Sequence, residues 1–381
     1  PELLASIQPF VEGDFYSQKK ILELRARLLR LGFFDSVIVA PDFSRREEAV
    51  VPVEVDLRAA PRHSYEVGVG FSTDTRERVS LVWSSPRLNR WGHSQQTRLR
   101  YSPVNPLARI VYTVPLDDPS NDLLQLGARV EDNEFGDLES NQREFLLRRE
   151  TRKGGQVRSY SVRALRESWR ALEEEFDASY ALAGLSFSRR SRVGNAVDPT
   201  RGLSQFYAVE AASDALGSDQ DLLRLSANFT FLRRFGERSR VVTRLSAGYL
   251  YSSSSRADEL PPSLAFFAGG DNSLRGYAYQ SIGREVGGQT FGGRSTALVV
   301  GGTRLLTASL EYQRYLFDDW RAAVFVDAGD AFVGEAFDLK VGAGFGVHYL
   351  SPIGALRVEL ANPVTESGGD WRLHINIGAE L

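Results

Sequence analysis

From about Tyr65 to Leu381 the chain alternates with a period of two. Tyr65, Val67, Val69 and Phe71 are apolar, and Glu66, Gly68, Gly70 and Ser72 between them are small or polar. Leu223, Leu225, Ala227, Phe229 and Phe231 alternate in the same way with Arg224, Ser226, Asn228 and Thr230. Near the end, Trp371, Leu373, Ile375 and Ile377 stand against Arg372, His374, Asn376 and Gly378. Period two predicts strands with one apolar and one polar face. Sixteen such strands are expected, near 64–73, 77–85, 95–102, 108–116, 122–131, 141–152, 155–169, 175–190, 203–213, 220–233, 238–251, 304–315, 320–329, 339–349, 353–361 and 370–381. Most reach the roughly 9–11 residues that a tilted strand needs to cross a bilayer. An even number of such strands predicts a closed antiparallel transmembrane barrel, apolar outside and wet within. A soluble sandwich or propeller is the competing reading. Arginines on the polar faces count against it, since no dry core accepts them.

Residues 1 to about 60 follow another pattern. Pro1 to Gln8 reads as a short helix. Ser17 is placed to cap a second helix, with Ile21, Leu24, Leu28 and Leu31 on one face and Gly32 just past its end. The segments "FFDSVIVAPDF" and "AVVPVEVDLRA" then read as two strands. Two helices on a small sheet call for a further strand ahead of Pro1, so the chain reads as mature or truncated.

Composition narrows the picture. Net charge is −3, which gives no ground for a nucleic-acid partner. Cysteine is absent, and His63, His93, His348 and His374 lack ligand spacing, so no metal site, cofactor or catalytic residue is expected. No apolar run is long enough for a transmembrane helix. The mean hydropathy of −0.26 does not argue for a soluble protein, because a barrel is apolar only on alternate residues.

The segment "FFAGGDNSLRGYAYQSIG", Phe266 to Gly283, breaks the alternation. It lies in a loop of about 252–303, far longer than a hairpin connection, and its aromatics need somewhere to pack. In a barrel that place is the lumen. Arg275 then needs acceptors. Alternation turns Glu311 inward with Thr307, Ser309 and Gln313, and turns Asp327 inward with Gly329. A guanidinium fork can engage both carboxylates. If the pair is direct, exchanging the charges of Arg275 and Asp327 restores part of what either change loses. Taken singly, Glu311 and Asp327 also fit ordinary pore lining.

Leu274, Arg275, Gly276 and Tyr277 ("LRGY"), the "SLEY" strand and "FVDAGD" resemble the hallmark motifs of the outer-membrane assembly and secretion barrels, the superfamily of BamA, TamA and the two-partner secretion transporters. The resemblance implies that Arg275 is the loop arginine and Asp327 the aspartate of an F-x-D-x-G wall motif formed with Phe325 and Gly329. It makes Glu311 the second acceptor. It also implies that residues 1–61 are the last POTRA module, periplasmic and lacking its first strand, and that 62–381 are the barrel. "AGGDNSLRGYAYQSIG", "LLRLGFFDSVIVAP" and "WRLHINIGAEL" look most like the TamA branch.

Function follows as an expectation from the same resemblance. The protein is an outer-membrane insertase that adds strands of other outer-membrane or autotransporter proteins at a weak seam between its first and last barrel strands. Val67, Gly68, Val69 and Gly70 face Ile375, Ile377 and Gly378 there. The glycines weaken that seam, or they are small fillers of a crowded lumen. Expected partners are client outer-membrane proteins, outer-membrane lipid and a TamB-type inner-membrane-anchored protein reached through POTRA modules. The alternatives are a two-partner secretion transporter exporting a large substrate through the lumen, and a passive porin.

Overall fold

A computed structural model describes residues 7–46, 48–135, 138–171, 174–195, 198–254, 259–287, 290–291, 294–295, 298–351, 354–366 and 369–378. The helix expected over Pro1 to Gln8 lies outside these residues except at its end, where Ile7 is buried. Helix α1 (Gln18–Arg30) buries Ile21, Leu24 and Leu28. It covers an antiparallel pair, β1 (Phe34–Pro41) and β2 (Val53–Ala59), with Ile7, Leu24, Leu28 and Val37 forming the small core. Ser17 occupies the N-cap position, but its side chain caps nothing. Gly32 follows the helix with φ +70, the left-handed conformation that ends helices at glycine.

Leu28 is fully buried in this core. Leu28→Ala is expected to cost about 2–5 kcal/mol locally. Limited proteolysis should then cut the first sixty residues while the barrel keeps its unheated gel mobility. Unchanged protection would show that this core does not hold the region together.

The remainder is a closed barrel of sixteen antiparallel strands. The first eleven are β3 (Ser64–Ser72), β4 (Arg76–Ser85), β5 (Ser94–Tyr101), β6 (Leu107–Pro115), β7 (Asp122–Phe135), β8 (Leu138–Lys153), β9 (Gln156–Ala171), β10 (Glu174–Gly194), β11 (Pro199–Ala212), β12 (Leu222–Phe235) and β13 (Ser239–Ser252). A long loop follows, carrying β14 (Arg284–Val286), β15 (Thr290–Phe291), β16 (Arg294–Ser295) and β17 (Leu298–Val300). The wall resumes with β18 (Arg304–Tyr315), β19 (Trp320–Phe332), β20 (Lys340–Ser351), β21 (Gly354–Pro363) and β22 (Arg372–Gly378). The faces follow the alternation: on β18, Thr307, Ser309, Glu311 and Gln313 are buried inside, and Leu306 and Leu310 are exposed outside.

Strand ends and the lumen depart from the sequence pattern. Strand β10 reaches Gly194 and β11 begins at Pro199, each about four residues beyond expectation, with Arg192 still opposite Gly202. Val193 is the one aliphatic side chain in residues 191–194 and 199–202, so alternation fades while the backbone ladder continues. The lumen also carries an apolar patch instead of being uniformly wet. Leu165, Trp169, Tyr180, Leu182, Leu222 and Leu250 point inward, and Leu260, Leu264, Phe266 and Val300 of the loop cover them. The loop thus removes apolar wall from water, which a hairpin loop could not do.

Candidate functional site

Within the loop, Gly269 and Gly270 adopt φ +101 and +96, values that favour glycine. They let the chain turn back so that Gly270 N–H donates to the carbonyls of Leu274 at 3.2 Å and Tyr277 at 3.1 Å. A Cβ on Gly276 would lie 2.9 Å from the Asn362 carbonyl and the Pro363 nitrogen, so the loop rests directly on the backbone of β21. Leu274 and Tyr277 are buried with Ala268, Ile282 and Ala331, and the Tyr277 hydroxyl lies 2.8 Å from Thr365 Oγ1. A second anchor holds the loop farther round the wall. There Ser263 N–H donates to the buried Glu167 at 3.1 Å, and Arg224 Nε donates to the Leu264 carbonyl at 2.9 Å.

Arg275 is 1% exposed. Its Nε and Nη2 donate to the two oxygens of Asp327 at 2.8 and 2.9 Å, and its backbone N–H donates to the same carboxylate at 3.0 Å. Nη1 donates to Glu311 at 2.7 Å and to both oxygens of Glu359 at 3.3 Å. Nη2 reaches Ser309 Oγ at 3.3 Å, and the guanidinium lies 3.3 Å from the centre of the Phe325 ring. Gly329 (φ +149) completes this wall, since a Cβ there would sit 2.2 Å from the Leu306 carbonyl.

Alternation along β18 and β19 marks Glu311 and Asp327 as acceptors, and the structure adds Glu359 as a third. Glu359 is inward on β21, and His348 Nε2 lies 2.8 Å from it. Arg244 donates to Glu311 at 3.0 Å, and Gln313 bridges to the same carboxylate. The structure likewise adds His374: its Nε2 donates to the Arg275 carbonyl at 2.6 Å. Inward alternation marks each of these side chains as luminal, but nothing local marks them as neighbours of one arginine. Glu311, His348 and Glu359 offer ligand atoms within 4.8 Å of one another, a spacing that suits a metal. Arg275 Nη1 touches both glutamates, so this chain supplies the positive charge itself.

Glu359→Gln removes one of three carboxylates around that guanidinium and leaves its two shorter contacts intact. A small effect, below about 1.5 kcal/mol of loop anchoring, is expected, because the surviving ion pairs to Glu311 and Asp327, at 2.7 and 2.8 Å, are the shorter ones. Loop proteolysis in the folded barrel measures it, and a loss as large as that of an Asp327→Asn variant would contradict this ranking.

At the closure of the barrel, β22 meets β3 through one pair among the described residues, Asn376 opposite Ser72. Ile375, Ile377 and Gly378 flank Asn376 on β22, where they pair with β21. Val67 and Val69, 75% and 83% exposed, lie on the part of β3 whose pairs among the described residues are all with β4. An added Cβ on Gly70 would meet nothing nearer than Arg78 at 3.8 Å, so lumen crowding does not require glycine at that position.

A closed antiparallel barrel with an apolar exterior, whose lumen holds a long loop pinned by a buried ion cluster, defines a transmembrane β-barrel of the internally plugged kind. The chain belongs to the Omp85 superfamily, whose domain model matches residues 61–380. Its fold is similar to BamA from Haemophilus ducreyi lacking POTRA domains 1–3, with TM-score 0.81 and 18% identity over 99% of this chain and 81% of that one. It is also similar to CdiB from Acinetobacter baumannii (TM-score 0.62, 14% identity, 99% and 71% covered) and from Escherichia coli (TM-score 0.60, 13% identity, 99% and 74% covered). A sixteen-stranded barrel of this family points to the bacterial outer membrane.

Proposed function

We propose that the protein is an outer-membrane insertase of the TamA type, which helps client outer-membrane or autotransporter proteins fold and insert by strand addition between β3 and β22. The observation that carries this reading is the seam. Among the described residues β22 pairs with β3 only at Asn376 and Ser72, so the edge of β3 from Ser64 to Phe71 has no partner from β22. An unpaired edge is a template for another strand, and in lipid its backbone groups are costly to leave unmatched. Adding a client strand satisfies them by hydrogen-bond exchange, with no covalent step.

Residues 1–61 are read as the final POTRA module, on the periplasmic side. The packing of α1 on the β1–β2 pair supports this. So does the match to a BamA structure described as lacking POTRA domains 1–3, which extends over 99% of this chain. That module would meet clients or a TamB-type partner, and the outer face of the barrel would meet outer-membrane lipid. The fold likeness to CdiB keeps a two-partner secretion transporter as the second reading. Against it, the loop packs into the lumen through which a substrate would pass, covering apolar wall in two clusters.

The absence of native cysteine makes the test direct. Single cysteines at Val67, Val69 and Phe71, and at Ile375 and Ile377, are expected to crosslink in cells to strands of several different barrel proteins. Adducts with one large exported protein at luminal positions would establish the transporter instead. A crosslink between β3 and β22 alone would leave no route for strand addition.

A further inference from the structure

The same loop that holds Arg275 also touches both sides of the seam. Asp271, four residues before Arg275, is buried. Its Oδ2 accepts from Asn376 Nδ2 at 2.6 Å and from Ser72 Oγ at 3.3 Å. These two donors are the residues that form the pair between β22 and β3. A single carboxylate oxygen therefore bridges the two strands at their point of closure.

The flanking contacts repeat this arrangement. Asp271 N–H donates to Asp74 Oδ2 at 2.6 Å, in the turn after β3. On the other side His374 of β22 donates to the Arg275 carbonyl at 2.6 Å. Ser72 projects inward from β3, and His374 and Asn376 are alternate residues that project inward from β22, so each strand turns toward the loop. Gly270 is confined by the same turn, because a Cβ there would come 2.7 Å from Asp74 Oδ2. The segment from Asp271 to Arg275 thus runs from the seam to the buried cluster on β18, β19 and β21.

We propose that Asp271 is a latch. While the loop is seated, its carboxylate holds β3 against β22, and the seam parts when that carboxylate leaves. Among the described residues the seam has one backbone pair, and charge-assisted bonds from both strands to one anion add a clip across it. Loop seating and seam opening are then one coupled equilibrium. As regulation of strand addition this rests on the insertase reading. As a statement about what closes the barrel it does not.

The experiment reads closure directly. Phe71 and Ile377 are the outward-facing residues that adjoin Ser72 and Asn376, the pair at the seam. A Phe71→Cys, Ile377→Cys protein in lipid nanodiscs is oxidised, and the rate of disulfide formation is followed. Asp271→Ala is expected to slow it roughly tenfold, with Asp271→Asn in between, because the carboxylate's charge-assisted bonds are lost. Loop proteolysis is measured on the same samples. A rate unchanged or raised in folded Asp271→Ala overturns the latch, and if that variant does not fold, the Asp271→Asn rate decides by the same criterion. A slowed rate that tracks complete loss of loop protection would also overturn it, since Asp271 would then serve only to seat the loop. Failure of client insertion with the crosslink behaving as expected would sink the insertase reading alone.

Discussion

Arg275→Ala is expected to release the long loop from the lumen while leaving the barrel folded. The substitution removes hydrogen bonds to Asp327, Glu311, Glu359 and Ser309 together with the contact over Phe325. The larger consequence is what remains: three buried carboxylates, with Arg244 and His348 as their neighbouring basic groups. Breaking a buried ion pair by deleting one partner costs about 3–5 kcal/mol, because the surviving charge is stranded. The wall itself is held by backbone ladders between consecutive strands, none of which involves Arg275. The penalty therefore falls on the loop. Trypsin cleavage at Arg284, which is exposed within the loop, should accelerate strongly in the folded variant. Arg275→Lys should lie nearer to alanine than to wild type, since a point charge cannot reproduce the fork on Asp327. A cleavage rate equal to wild type would end the anchoring argument.

The structure also revises the expectation for a charge exchange. With Glu311 and Glu359 beside the same guanidinium, Arg275→Asp places a fourth carboxylate among three acceptors. Asp327→Arg restores the balance of three carboxylates to one arginine, but the guanidinium then starts from β19 and aspartate is too short to rebuild the fork from the loop, so no rescue by the double variant is expected, even though the pair is in direct contact.

Gly276→Val should produce the same loop release by a different route. All charges stay in place, but the new Cβ begins 2.9 Å from the backbone of Asn362 and Pro363. Those atoms belong to β21 and its end, and they cannot move aside as the tip of a side chain could. Overpacking of this kind costs about 1–3 kcal/mol, and a β-branched residue adds to it. Two variants with unrelated chemistry would then share one protease phenotype. If Gly276→Val kept a protected loop, close backbone approach would not be what the glycine provides, and the ion cluster alone would seat the loop.

Much of this architecture is local and was legible in the residues. Side chains on a strand alternate because successive Cβ atoms point to opposite faces. The sixteen strands, the inward direction of Glu311 and Asp327 and the amphipathic face of α1 are therefore written into runs of about ten residues each. The over-long loop and its unusual arginine were visible for the same reason, as a break in a regular pattern. The ends of β10 and β11 were not, because there the pattern that marks a strand stops while its hydrogen bonds go on.

The rest depends on closure. Bringing β22 round to β3, and setting how far each strand is shifted against the next, is a property of the whole barrel and not of any segment. Only that geometry carries Glu359 and His374 to an arginine 84 and 99 residues away in sequence. It likewise brings Asp271 onto Ser72 and Asn376, 199 and 105 residues distant. The apolar luminal patch belongs to the same class, since Trp169 and Leu182 read as wall residues until the loop covers them. The sequence by itself determined which side of the wall each residue faces, because that follows from one strand's geometry. Which luminal residues meet was decided only when sixteen strands closed around a loop, since that meeting requires the register of them all.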